Sequence, residues 1–131
     1  MEIDRIDHIV LTVSDIEGTV RFYTDVLGMR AVTFGDGRRA LAFGGQKINL
    51  HQSGGEFEPK AVRPTPGLAD LCLITQTPPG EVLDHLSGCG VEAIEGPVER
   101  AGALGPMRSV YFRDPDGNLI EVSGYPGDSE R

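Results

Sequence analysis

Tryptophan is absent from the 131-residue chain, and its other aromatic residues are five Phe and three Tyr. The 39% hydrophobic content is still ample for a core of this size, which excludes disorder throughout. Two cysteines are too few for a disulfide scaffold and suit a reducing cytosol. No long apolar run occurs, and the opening MEIDRID is charged where a signal peptide needs a basic start and an apolar stretch. Neither a membrane span nor a targeting segment is expected, and the expected location is cytoplasmic. Basic residues are also scarce, because 12 Lys+Arg against 20 Asp+Glu give a net charge of −8. Such a field repels phosphate backbones and anionic lipid, which argues against nucleic acid and membranes as partners. The glycine clusters GDG and GGQ lack the spacing of a phosphate-binding loop, so no nucleotide site is visible. The length itself rules out a large multidomain machine.

What is present is one pattern written twice. IDHIVLTV, residues 6–13, alternates as a strand, with Ile9, Leu11 and Val13 on one face and His8, Val10 and Thr12 on the other. SDIEGTVRFYTDVLG then reads as a helix. Ser14 is its N-cap, Glu17 the capping-box partner, Ile16, Val20, Tyr23 and Leu27 its buried face, and Gly28 its left-handed end. Strands follow at 29–34, 39–43 and 47–51, giving βαβββ. After the loop SGGEFEPKAVRPTPG the order restarts. ADLCLIT is a strand and PGEVLDHLSGCG a helix, and further strands lie at 91–94, 108–112 and 118–122. An offset of 62 pairs Gly28 with Gly90 and His8 with Asp70. Beyond the loop GPVERAGALGP an insertion raises it to 69 or 70, which pairs Phe43 with Phe112 and His51 with Glu121. DPDG at 114–117 makes a turn between the last two strands. The reading is a single α+β domain over 1–131, with module one at 4–53, a linker at 54–67, module two at 68–124 and a fraying tail at 125–131.

First and last strands of each half thus carry His8, His51, Asp70 and Glu121, in settings expected to be half-buried or buried. A buried carboxylate must be paired, hydrogen-bonded or bound to a cation. Two imidazoles and one or two carboxylates in one cavity are the ligand types of Zn, Ni, Mn or Fe(II). Each residue has a structural alternative. His8 could be a core histidine satisfied by a neighbouring carboxylate, Glu121 could be salt-bridged to Arg108 or Arg113, Asp70 could cap a loop, and His51 could be exposed before QSGG. The alignment of all four on the repeat favours the site. His85, whose counterpart in the first half is Tyr23, reads as structural or solvated. Cys72 and Cys89 have no base beside them in sequence and do not read as nucleophiles.

DHIVLTVSDIEGTVRFYTDVLGM and VYFRDPDGNLIEVSGY resemble the opening and closing signatures of the vicinal oxygen chelate superfamily, which includes glyoxalase I, bleomycin-resistance proteins and extradiol dioxygenases. FGGQKINLHQSGGEFEPKA followed by PTPGLADLCLIT is similar to a glyoxalase-domain subgroup that includes a bacterial virulence-associated protein. The resemblance implies a U-shaped mixed sheet around a metal-binding cleft, one divalent ion (Ni, Zn, Mn or Fe), a small-molecule substrate and a homodimer. By position the metal ligands are His8, His51 and Glu121, and the catalytic residues are Glu121 and Asp70. The chain departs from the glyoxalase I pattern, which carries Glu at the His51 position and His or Gln at the Asp70 position. The implied activity is a metal-dependent, glyoxalase-like lyase or isomerase on an oxygen-chelating metabolite. Its alternatives are an Fe(II) extradiol-type dioxygenase and a metal-free drug- or metabolite-binding protein. Lys60, Arg63 and Arg108 could meet an anionic substrate, with surface solvation as the default for each.

Overall fold

The structure, a computed structural model, describes residues 1–127. The chain divides into two units, Met1–Leu68 and the residues from Ala69 onward. The first contains β1 (His8–Val13), α1 (Ile16–Asp25), β2 (Arg30–Phe34), β3 (Arg38–Phe43) and β4 (Gln46–Gln52). The second contains β5 (Asp70–Ile74), α2 (Pro79–Gly88), β6 (Glu95–Gly102), β7 (Gly105–Arg113) and β8 (Leu119–Gly124). Each is a βαβββ module with a four-stranded mixed sheet, ordered β1-β4-β3-β2 and β5-β8-β7-β6. The first and last strands of each module run parallel and the other neighbours antiparallel. The α+β tandem repeat read from the sequence is therefore the fold.

Alternation sets the two faces of each sheet. In module one Leu11, Leu41, Ile48 and Leu50, each at most 5% exposed, lie on the face that packs with Val20 and Tyr23 of α1. Burying such side chains stabilises by roughly 1.5–3 kcal/mol each. His8, Val10 and Thr12 of β1 share the opposite face with Lys47, Asn49 and His51 of β4, their register partners. Module two repeats the division. Val110, Phe112, Ile120 and Val122 form its core with Val82 and Leu86 of α2, while Cys72, Tyr111 and Glu121 point the other way.

Four local expectations change. The N-cap of α1 is Asp15, not Ser14, and it makes no side-chain cap bond. Glu17 turns away from the helix terminus to an ion pair with Arg39 on β3. Strand β6 covers 95–102, most of which reads in sequence as a loop because of its glycines and proline. Pairing with β7 continues through a register shift between Glu95 and Val98, and Gly96 passes there because a Cβ would lie 2.4 Å from the Ser109 carbonyl oxygen. Finally, Tyr125, the expected start of a fraying tail, accepts a hydrogen bond on its hydroxyl from the Leu104 amide at 3.0 Å. Residues 128–131 lie outside the described residues.

The DPDG turn closes as expected, with the Gly117 amide on the Asp114 carbonyl at 3.0 Å. Its clamp is a buried carboxylate. Asp114 accepts from the amides of Asp116 (3.0 Å) and Asn118 (2.9 Å) and from Asn118 Nδ2 (2.8 Å). Asn118 Oδ1 in turn accepts the Ala69 amide at 2.9 Å, tying the start of β8 to the start of β5, where Asp70 begins.

Candidate functional site

Strand register fixes which residues are equivalent. His8 pairs with Lys47, and Asp70, its counterpart, pairs with Leu119. Lys47 and Leu119 are 72 positions apart, so the last strands are related by 72 and not by 70. Glu121, opposite Cys72, therefore corresponds to Asn49, opposite Val10; His51, opposite Thr12, corresponds to Ser123. The extra offset comes from the long β6–β7 hairpin. Asn49 was legible in principle: if Ile48 and Leu50 face the core, Asn49 must face the same way as His8.

His8 and His51 share a face but lie four positions apart on neighbouring strands, about 13 Å along the sheet, whereas ligands to one ion lie roughly 2.0–2.2 Å from it. Module one does not bring the two histidines together. His8 and Asn49, like Asp70 and Glu121, are diagonal neighbours two positions apart. Among the described residues, no three His, Cys, Asp or Glu side chains gather into a group that could hold an ion.

His8 is exposed rather than in the core, and its Nδ1 donates to the Asp7 carboxylate at 2.8 Å. That bond holds Asp7 below the usual carboxylate range. It also fixes the ring proton on Nδ1 and leaves Nε2 as the free donor atom, as in carboxylate–histidine–metal arrangements. Asn49 is 6% exposed, and its Oδ1 is buried without a hydrogen-bond partner among the described residues. An orphaned buried acceptor is costly unless something binds it. Asp70 is exposed.

Glu121 is half-buried and not salt-bridged to either arginine considered in the sequence. Its Oε2 accepts from Ser109 Oγ at 2.6 Å and Ser123 Oγ at 3.3 Å, and the two hydroxyls lie 2.6 Å apart. Ser123 Oγ also meets Cys72 Sγ at 3.4 Å. Burial pushes the Cys72 thiol up, which keeps it protonated. Across from Glu121 on β7, the Tyr111 phenol accepts from Arg100 Nε at 3.1 Å; burial raises its pKa, and the Glu121 charge adds to that. The serines, set by the alternation of β7 and β8, were not singled out by sequence because serine carries no charge to flag it.

His51 is 3% exposed, not free in a loop. Arg38 donates to its Nε2 at 3.4 Å, and Phe57 stands edge-on at 5.5 Å between ring centroids. Burial first, then the Arg38 charge, holds the imidazole below its ordinary value, so it is neutral with its proton on Nδ1. A cavity of about 330 Å³ opens beside it, lined by Val10, Thr12, His51, Lys60, Arg63 and Leu68 among others. His85 is exposed on α2, 3.7 Å from Cys89 Sγ.

The model of the Glyoxalase/Bleomycin resistance protein/Dioxygenase superfamily matches residues 5–122. The chain belongs to that superfamily. Virulence protein STM3117 of Salmonella typhimurium is 64% identical over 125 residues, covering 95% of this chain and 87% of the relative. Its crystal structure superposes with a TM-score of 0.94 over 95% of this chain and 99% of that one. Glyoxalase domain-containing protein RDO1 of Mycosarcoma maydis is 52% identical, covering 95% of this chain and 70% of the relative. A lactoylglutathione lyase of Agrobacterium tumefaciens, 21% identical, shares the fold alone, with a TM-score of 0.73 over 94% of this chain and 95% of that one. Among the described residues, no helix of this superfamily member is long and apolar enough to cross a membrane.

Proposed function

We propose that the protein is a metal-dependent lyase or isomerase of the glyoxalase type, acting on a small oxygenated metabolite in the cytoplasm as a homodimer. The observation that supports it most is the equivalence of His8 and Asn49 with Asp70 and Glu121, four metal-compatible side chains at matched register positions. By residue type the four suit a divalent cation of the Mn, Ni, Zn or Fe(II) kind, which the proposed ion would gather: an imidazole with Nε2 free, two carboxylates and an orphaned amide oxygen. His8 and Glu121 are the assigned ligands, with Asp70 as a further ligand or base. His51 is reassigned from ligand to cavity residue, because its Nε2 is already taken by Arg38.

A bound metal supplies Lewis-acid stabilisation of charge developing on substrate oxygens. The proton work belongs to this chain. Glu121 accepts the substrate proton on its carboxylate and returns it, while Ser109 and Ser123 hold Oε2 and keep the group oriented. Replacing Glu121 by Gln removes the base with little change in shape. The expected result is loss of about 10²–10⁴-fold in turnover on hemithioacetal or epimerisable substrates, and full retained activity overturns the assignment. The extradiol reading needs His8 and His51 on one ion, and their separation disfavours it. Binding without chemistry is the second reading, favoured by the preformed cavity at His51. The free thiols Cys72 and Cys89 suit the proposed compartment, and sedimentation tests the homodimer.

A further inference from the structure

The module-one cavity is bordered by cations in a chain dominated by acids. Among the described residues its titratable lining residues are His51, Lys60 and Arg63, and no Asp or Glu lines it. Lys60 is offset locally, 3.1 Å from Glu58 and 3.9 Å from Glu56. Arg63 is exposed, and its guanidinium has neither an ion pair nor a hydrogen bond among the described residues, although its carbonyl is held by Thr65 Oγ at 3.1 Å. Arg38, behind His51, also lacks a carboxylate partner among the described residues; its guanidinium lies 4.5 Å from the Phe57 ring centroid and 5.3 Å from that of Phe34. By donating to His51 Nε2 it leaves Nδ1–H as a donor that makes no hydrogen bond among the described residues. The rest of the lining, including Val10 and Leu68, is largely apolar.

We infer that this cavity binds a small organic monocarboxylate, with Arg63 pairing the carboxylate, His51 Nδ1–H donating to it, and Val10 and Leu68 holding the apolar body. The charge balance points to a monoanion: on the lining itself Lys60 is compensated by the nearby glutamates and Arg63 is not, while Arg38 stands behind His51 against the Phe34 and Phe57 rings and reaches the ligand only through the imidazole. A dianionic phosphoryl group would bring more charge than the lining neutralises. Arg38 is a positioning residue that acts through the His51 tautomer. The inference deepens the second reading above, binding in the preformed cavity at His51, by naming the ligand class, and it rests on that reading only in taking this cavity as a place where a small molecule is held.

The test is a titration of the full chain, followed by amide resonances in ¹⁵N spectra with chelator present. The probes are benzoate, phenylacetate and isovalerate, each beside its primary amide, together with phenylphosphonate. The acids are expected to shift resonances at Thr12, His51 and 60–65 and to bind about tenfold or more tighter than their amides. Added salt should weaken them. Arg63→Gln, on an exposed loop, is expected to weaken the acids about tenfold and leave the amides unchanged. Amides as tight as acids, no binding of any acid, or an unchanged Arg63→Gln titration overturns the inference. Phenylphosphonate binding tighter than benzoate overturns the monoanion assignment. Because metal is absent throughout, these failures are distinct from failure of the metal-dependent reading.

Discussion

Replacing Asp114 by Ala should destabilise the protein far more than its place in a surface turn suggests. Asp114 is 6% exposed and Asn118 1% exposed, and the Asp114 carboxylate accepts from two backbone amides and from Asn118 Nδ2. A hydrogen bond to a charged acceptor contributes about 1.5–3 kcal/mol, and a buried donor left unpaired costs about 1–3 kcal/mol. The three bonds share one acceptor and do not add, so the expected loss is about 3 kcal/mol. At about 2.1 cal/mol/K of unfolding entropy per residue, a chain of this length has roughly 0.27 kcal/mol/K, and the melting temperature should fall by roughly 11 °C. Differential scanning calorimetry measures it, with exposed Asp84→Ala as a control expected to shift by under about 2 °C. Hydrogen exchange at Ala69 and Leu119 should accelerate with it, since Asn118 Oδ1 accepts the Ala69 amide and the Leu119 amide reaches the Ala69 carbonyl at 3.0 Å. A shift as small as the control's, or unchanged exchange at those amides, would refute the reasoning.

Gly96→Ala should be severely destabilising, by about 3 kcal/mol or more in urea denaturation, because φ is +115° and a Cβ would meet the Ser109 carbonyl oxygen at 2.4 Å and Val110 Cα at 2.9 Å; a near-neutral result contradicts the β6 path. For His51 the linkage runs with pH. Its folded pKa lies below 6.5, so the unfolded chain binds more protons between the two values and stability falls as pH drops through that window, levelling below the folded value. His51→Gln should remove this part of the slope in denaturant midpoints, and an unchanged profile rejects the buried neutral imidazole. Ser109→Ala should lower turnover by about tenfold while leaving metal content intact, since it orients Glu121 without being a ligand; equal turnover argues that Glu121 holds its position without the serine.

Much of the fold was legible because it is carried by strong local signals. The β-branched run at 8–13, the helix ended by left-handed Gly28, the second ended by Gly90, and the DPDG turn all fall where sequence placed them. The repeat itself appeared as the offset of 62. The candidate site was less legible, because the offset on the last strands depends on where the added residues of module two lie. Gly96 and Pro97 look like breakers, yet their strand survives through a register shift that no local propensity announces. That hid the pairing of Glu121 with Asn49 and promoted His51, the more conspicuous residue two positions on. The burial of His51 was hidden for a different reason. Its cover comes from Phe57 and the 59–68 segment, a loop whose path is set by tertiary packing and not by periodicity.

Metal analysis by inductively coupled plasma mass spectrometry, on untagged protein reconstituted with divalent ions, tests the central claim most directly. The account predicts roughly one tightly held ion per chain, lost in His8→Ala and Glu121→Gln and kept in His51→Ala, because only the first two are assigned as ligands. No ion in the wild type after reconstitution, or an ion lost with His51 and kept without His8, would contradict it.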